Sequence, residues 1–375
     1  MKTEQENLLN RIQEWARSRC NQHDLAHDSL HLERVHSIAF DLLGSEEFDA
    51  DARPDPFVTL AACWLHDVVQ IPKGSGEPGQ AARESAEVSR TFLLDLGVDR
   101  ATTDSICAAV EAHSFSGGAR PPSVEAAIVQ DADRIDALGA IGIARFLTVA
   151  AGGDGNLYDP QDPLARKRAL DDRRYALDHV LTKLVKLPSM MTTVAGAELA
   201  QQRAAFLIDY VVQLAAEIGV PSPAGYRIRA MIESRALLAK LLYPGEHTPS
   251  VPDAARALGV GADRILKSLL FTNGRRHVLA IASGEGRVNI KRLENATEQY
   301  GLKLAKPHVV LQLTGFEVGA MPPVGHRRRF QVIMDDAVAR LDLAYGGGGS
   351  VDSLLQITPD EIVRQECARI APVAD

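Results

Sequence analysis

Two histidines and two aspartates, His31, the adjacent pair His66 and Asp67, and Asp133, are the residues of this chain best suited to chemistry. Two imidazoles with two carboxylates suit a borderline or hard divalent cation, Mn, Fe, Ni, Co, Zn or Mg, with coordination positions left for water and substrate. The set does not single out zinc. Such a cation is a Lewis acid toward a phosphoryl oxygen and generates hydroxide near neutral pH, so the chain reads first as a metal-dependent hydrolase.

Three helices must carry these groups. In DSLHLERVHSIAF, Leu32, Val35, Ala39 and Leu42 recur at helical spacing and predict one buried face with His31 at its edge. FVTLAACWLHDVVQ, from Phe57, is almost wholly apolar and predicts a helix in a bundle core. A charged Asp67 at its end needs a strong partner there, and a cation is one. Asp133 falls in AIVQDADRIDALGAIGIARF, a third helix, on which Asp131 and Asp136 are competing carboxylates. His23, His27 and His36 lie near His31, and His27, one helical turn before it, reads as solvated.

HxxRV at His31 to Val35, the His66-Asp67 doublet, HSFS at His113 to Ser116 and DADRIDALGAIGIAR at Asp131 to Arg145 resemble the HD-domain metal-dependent phosphohydrolases over roughly residues 20 to 215. The resemblance implies an all-helical fold, a metal at His31, His66, Asp67 and Asp133, and hydrolysis of a phosphate ester or anhydride, often in a nucleotide. Asp133 is preferred to its rivals because the family's carboxylate usually stands in an Ala-Asp pair like Ala132-Asp133. Asp67 and His113 are the candidate catalytic residues, His113 as a general acid lining the phosphate pocket. Lys73, on the Gly and Pro loop QIPKGSGEPG, is a candidate substrate-binding residue or a solvated loop lysine.

At 375 residues the chain is long for one core, and two domains are expected. No apolar run approaches the roughly 20 residues of a membrane span, and the start MKTEQENLLNRIQEW has no signal-peptide core. A cytoplasmic protein with no membrane partner is expected. Cys20, Cys63, Cys107 and Cys367 form no CxxC pair, and Cys63 and Cys107 read as reduced core thiols. The net charge of -8 is uneven: from His247 onward 16 Lys and Arg face 14 Asp and Glu, a balance of +2, leaving -10 for residues 1–246. The acidic half excludes a general nucleic-acid surface. The other half could hold a basic patch at His326, Arg327, Arg328 and Arg329, unless that run is a solvated turn beside a strand.

Helical pattern persists through residues 165–218, and the two prolines and glycine of residues 220–225 then break it. The boundary is placed there, giving domains at 1–220 and 221–375. A further helix is expected from about Tyr226 to Leu242. Beyond it LLFTNGRRHVLAIAS reads as a hairpin around Asn273-Gly274, HVVLQL and FQVIMD as short β-runs, and VPDAARALG and NIKRLENATEQYG as helices. The fold class is therefore an all-α helical bundle followed by an α+β domain.

TPSVPDAARALGV, ILKSLLF, GFEVGAMPPVGHRRRFQVIMDD and AYGGGGSVDSLLQITPDEIVR resemble the YbaK and prolyl-tRNA-synthetase-editing family of aminoacyl-tRNA deacylases, over roughly residues 226 to 370. The resemblance implies that Lys267 is the functional lysine, that Gly319 to Pro323 is the family's GxxxP loop with Gly325 following, and that tRNA is the partner. A lysine entering a small pocket can neutralise the 3'-terminal phosphate or orient the ester, while a Gly and Pro loop lets backbone amides approach the aminoacyl carbonyl. Gly346 to Gly349 either allow close approach to a ligand or form a flexible turn. Neither His308 nor His326 matches the additional pocket histidine of some members. Together the halves read as a bifunctional hydrolase acting on a nucleotide or other phosphorylated small molecule and on tRNA. The alternative is that one half, the C-terminal one first, binds tRNA or a nucleotide without turnover. Oligomeric state stays open.

Overall fold

Short polar caps start four helices of the first half. Asp28 accepts from His31 N and opens α2 (Ser29–Leu43), which follows α1 (Thr3–Arg19). Asp55, before Pro56 at the first helical position, opens α3 (Pro56–Leu65). α4 (Gln80–Asp95) precedes α5 (Arg100–Ala112), capped by Asp99, and α6 (Val124–Asp136), capped by Ser123. α7 (Gly139–Ala151), α8 (Asp178–Thr182) and α9 (Val194–Glu217) complete the series. Every residue of α3 from Phe57 to Leu65 is buried, and α1, α2, α5 and α6 pack around it. An apolar helix this complete can only sit where all its sides are covered.

The computed structural model describes residues 3–20, 28–45, 48, 53–71, 77, 79–114, 120–234 and 237–375. Its chain contacts divide it into two units, Met1–Leu207 and Ile208–Asp375. That division falls within α9, whereas the Pro/Gly break at 221–225 comes after the helix has ended. No described helix is long and apolar enough to cross a membrane. Cys63 and Cys107 are buried and free.

The second unit is built on sheets. α10 (Gly225–Glu233) leads to β1 (Ala239–Leu242), α11 (Val251–Leu258), β2 (Leu266–Thr272), β3 (His277–Ser283), α12 (Ile290–Thr297) and β4 (Lys303–Leu304). α13 (Pro307–Thr314), β5 (Gln331–Asp335), α14 (Asp336–Ala339), β6 (Ala344–Gly347), β7 (Leu354–Ile357), α15 (Pro359–Glu366) and β8 (Arg369–Ala371) follow. The strands form a five-stranded sheet, β4-β2-β3-β5-β8, and a three-stranded antiparallel sheet, β1-β7-β6. The β2–β3 hairpin turns where the sequence predicts, with Asn273 Oδ1 accepting from Arg275 N and Arg276 N and Gly274 at φ +87°. Period-two alternation sends Leu266 and Leu270 into one core cluster and Phe271 into another, on the opposite face of the sheet.

Three expectations are corrected. Residues 165–177 are not helical, because Asp162 accepts backbone N–H groups from Arg166, Lys167 and Arg168 and so replaces a helical ladder with side-chain bonds. The helix from Tyr226 stops at Glu233, and Ala239 to Leu242 pair with β7 instead. HVVLQL is α13, not a strand: Pro307 at its first position sets a helical φ, Val310 and Leu313 three residues apart reach the core, and Gly315 closes it at φ +81°.

Candidate active sites

α2, α3 and α6 each bring one donor to a common point in the first unit. His31, in the first turn of α2, is only 1 % exposed, so it lies inside the core rather than at the edge of the buried face. Its Nδ1 donates to Asp136 Oδ2 at 2.8 Å. His66 ends α3, where its Nδ1 donates to Cys63 O at 2.8 Å. A carboxylate or carbonyl only accepts, so each ring holds a proton on Nδ1 and, in its neutral form, carries its lone pair on Nε2. The two Nε2 atoms face each other at 3.2 Å. Asp133 Oδ1 lies 3.5 Å from the first and 3.9 Å from the second. Two lone pairs and a carboxylate oxygen so placed repel one another and suit a divalent cation.

The three rival aspartates of α6 separate by what they touch. Asp131 accepts from Thr192 N and Thr193 N at the entry to α9, and from Thr193 Oγ1. It is an anchor for α9. Asp136, fully buried, accepts from His31, from Arg34 Nε and Nη2 and from Arg145 Nη1. Burial opposes its ionisation, but the bonds from His31 and Arg34 win and hold its carboxyl at about 2. Only Asp133, about a quarter exposed at 26 %, turns to the two Nε2 atoms. Burial again opposes ionisation, and the neighbouring His66, His31, His113 and Arg145 favour the carboxylate and hold its pKa below the usual carboxylate range.

His113 ends α5 with its ring 4.7 Å from that of His66, and its Nδ1 donates to Val110 O at 2.6 Å. Burial, and then the neighbouring His66, lowers its pKa. A neutral ring protonated on Nδ1 can accept a proton at Nε2 but has none to give there, which favours a base over the general acid expected from sequence. Asp67 is half-buried beside His66 and lies outside the His31, His66 and Asp133 group. Its charge acts on His113, and with Asp28 it adds to the burial that pushes the Cys20 thiol up to about 11. His36 accepts from Trp64 Nε1 at 3.0 Å and is part of the packing. Lys73, His23, His27, Phe115 and Ser116 lie outside the described residues. Sequence reasoning missed the joint role of Arg34, Arg145 and Asp136, although Arg34 and Arg145 stand in the quoted strings.

The second unit holds a cavity of about 340 Å³ between β2, β6, the start of α13 and the Gly319–Pro323 loop. Gly319, Met321, Gly346 and Gly347 line it, and Lys267 borders it. Lys267 Nζ donates to Gly284 O at 3.0 Å and also to Gly286 O. Burial lowers its pKa, against the charge of Glu285. Gly319 has φ +88°, and Gly325 has φ +82° with its N–H donated to Glu366 Oε1 at 3.0 Å. The four-glycine run works by close approach. Gly349 N donates to Ala320 O at 2.9 Å, a Cβ on Gly347 would stand 2.5 Å from Ala320 O, and one on Gly346 2.8 Å from Pro323 Cδ. Strand β6 therefore lies directly on the Gly319–Pro323 loop, and two of its glycines face the cavity. Arg327, Arg328, Arg329 and His308 are exposed, while His326 reaches the loop at Pro322.

Residues 29–138 match the HD domain family, and residues 245–365 match the aminoacyl-tRNA editing domain family. The uncharacterized protein YpgQ of Bacillus subtilis is 30 % identical over 212 residues, 55 % of this chain and 92 % of YpgQ. A crystal structure of YpgQ in complex with ADP matches at 28 % identity with a TM-score of 0.45, over 57 % of this chain and 97 % of that one. The proline–tRNA ligase of Bacillus licheniformis is 31 % identical over 109 residues, 28 % of this chain and 19 % of the ligase. The chain thus belongs to the HD-domain family, that of the metal-dependent phosphohydrolases, through its N-terminal unit and to the aminoacyl-tRNA editing family through its C-terminal one.

Proposed function

We propose that the chain is a bifunctional hydrolase, with a metal-dependent phosphohydrolase in the first unit and an aminoacyl-tRNA deacylase in the second. The observation that carries the first half is the approach of His31 Nε2 and His66 Nε2 to 3.2 Å with both Nδ1 atoms already engaged. The donor set fits a divalent cation, held by His31, His66 and Asp133, with Asp67 completing the set from its place beside His66. When bound, such a cation supplies Lewis-acid polarisation of a phosphoryl oxygen and activation of water. The chain's own part is to hold both imidazoles in the Nδ1-protonated form, to offer His113 Nε2 as a proton acceptor, and to keep Asp136 charged behind His31. The substrate is a nucleotide or another phosphorylated small molecule, and Lys73 stays a phosphate-binding candidate on its sequence context alone.

In the second unit the deacylase assignment is supported by the Gly319–Pro323 loop and Lys267 meeting at one cavity. Gly319, Pro323 and Gly325 bring backbone to the aminoacyl ester, and Lys267 orients the tRNA 3' end. One observation favours tRNA binding without turnover: the Lys267 ammonium is held by the carbonyls of Gly284 and Gly286.

Both activities are tested on the full chain. A panel of nucleotides and phosphoesters with Mn, Mg, Co and Ni is expected to show turnover that His66→Ala abolishes, with deacylation of a mischarged tRNA retained. Lys267→Ala is expected to do the converse. Deacylation unchanged in Lys267→Ala removes the lysine from the mechanism, and loss of both activities in either variant shows that they are not separable.

A further inference from the structure

The Gly319–Pro323 loop has no strand ladder to hold it, yet it presents Gly319 and Met321 to the cavity. One side chain bonds the backbone of residues 319–323 directly. It is His326, whose Nε2 donates to Pro322 O at 3.0 Å. A carbonyl only accepts, so the proton sits on Nε2 and Nδ1 is bare. Nδ1 has no hydrogen-bond partner and stands 3.9 Å from Glu366 Oε1, which accepts from Gly325 N instead. The imidazole is fully covered and meets Phe316 and Phe330 edge-on, at ring-centroid distances of 6.1 and 5.7 Å. Burial pushes its pKa down to about 4, so the ring is neutral at ordinary pH.

A purely packing role between two phenylalanines would be served better by a third apolar side chain, which buries no unpaired nitrogen. What histidine adds at this place is the donor on Nε2. Together with Gly349 N on Ala320 O, that donor fixes a carbonyl on each side of Met321. Fixing those carbonyls sets the peptide planes of the loop, and hence the path of the backbone along the cavity wall.

We propose that His326 is a positioning residue of the editing site, holding the Gly319–Pro323 loop against the cavity through the Pro322 carbonyl. The inference rests on the editing assignment of the second unit. It also specifies which atom matters, and three replacements separate that atom from the ring. His326→Gln keeps an amide donor near the reach of Nε2. His326→Asn keeps a donor only near Nδ1. His326→Phe keeps the ring and loses the donor.

Deacylation of mischarged tRNA by the full chain is expected to lose about 10- to 100-fold in kcat in His326→Phe and His326→Asn, the scale set by misplacing a site by about 1 Å. KM for the tRNA is expected to stay within about threefold, and His326→Gln to remain near the parent. Amide exchange at Gly349 supplies a readout without turnover, expected to quicken about tenfold in the Phe and Asn variants and not in the Gln variant. Phenylalanine deacylating like the parent with unchanged exchange overturns the inference and leaves a packing residue. Should the parent itself show no deacylation, the editing assignment fails, and the exchange contrast between Gln and Asn still decides whether His326 holds the loop. If the Phe variant does not fold, the Gln and Asn pair decides alone, and equal behaviour of the two overturns the proposal.

Discussion

Asp136→Asn separates holding the metal from holding the ligand that holds it. The carboxylate has no solvent exposure and accepts four hydrogen bonds, from His31 Nδ1 at 2.8 Å, Arg34 Nε at 2.8 Å, Arg34 Nη2 at 3.1 Å and Arg145 Nη1 at 3.0 Å. An amide keeps one acceptor oxygen and turns two N–H groups toward the remaining donors. Removing one partner of a buried charge pair costs about 3–5 kcal/mol. Arg34 is 29 % and Arg145 14 % exposed, so both regain some water, and a loss nearer about 2–4 kcal/mol is expected here. His31 meanwhile loses the partner that keeps its proton on Nδ1. Losing such a support typically weakens metal affinity about 10- to 100-fold, or about 1.4–2.7 kcal/mol. Denaturant unfolding of the metal-free protein reads the first quantity, and calorimetric titration with Mn at fixed pH reads the second. A folded Asp136→Asn protein that binds Mn within twofold of the parent refutes the idea that Asp136 sets the His31 tautomer for a metal.

Asp131→Asn should lower stability by about 1–2 kcal/mol, the range for losing a helix-entry cap, with metal binding unchanged, whereas Asp133→Asn should lose metal binding and phosphohydrolysis; equal metal binding by both variants would reverse the assignment. His326 titrates at about 4 when buried, against 6.5 when exposed, so the unfolded chain takes up its proton first as pH falls. Relative to His326→Gln, the parent should therefore lose up to about 3 kcal/mol between pH 6.5 and pH 4. Glu366 is pushed up by burial and acts in the opposite direction in both proteins. Parallel stability curves for the two across that window would show that the buried ring does not stay neutral.

The candidate metal donors were legible because each stands on a strongly periodic helix inside a motif string: chemical type made His31 and His66 candidates, and the resemblance picked Asp133 from three carboxylates. Beyond that resemblance, the chain gave no physical reason why Asp131 and Asp136 should turn elsewhere. Their partners are Thr192 and Thr193 for the first and His31 for the second, about 60 and about 100 positions away, so no local pattern encodes the difference. His31 was misplaced to the edge for a related reason: the buried face of α2 is wider than its stripe of apolar residues, because it also takes in this polar side chain. In the second unit Asn273-Gly274 announced a hairpin by backbone chemistry alone. β1 escaped because the residues it pairs with begin more than 100 positions later, at Leu354. α13 escaped because its β-branched valines outweighed the start signal of Pro307, a contest that packing at Val310 and Leu313 decided.

A histidine's type tells that it can act, but its role is set by what the other ring nitrogen meets. In His31 and His66 the engaged atom is Nδ1, so the far nitrogen, Nε2, is delivered to a shared point with a carboxylate, the arrangement of a ligand. In His326 the engaged atom is Nε2, the far-reaching one, and it ends on a loop carbonyl while Nδ1 stays bare. With its long arm on the backbone and its bare Nδ1 fully covered, that ring exposes no atom to a substrate. It follows that failing to match the pocket-histidine motif and lying next to the editing loop are compatible facts about one residue. In His113 the engaged atom is again Nδ1, so it is Nε2 that this ring, packed edge-on against His66, has to offer.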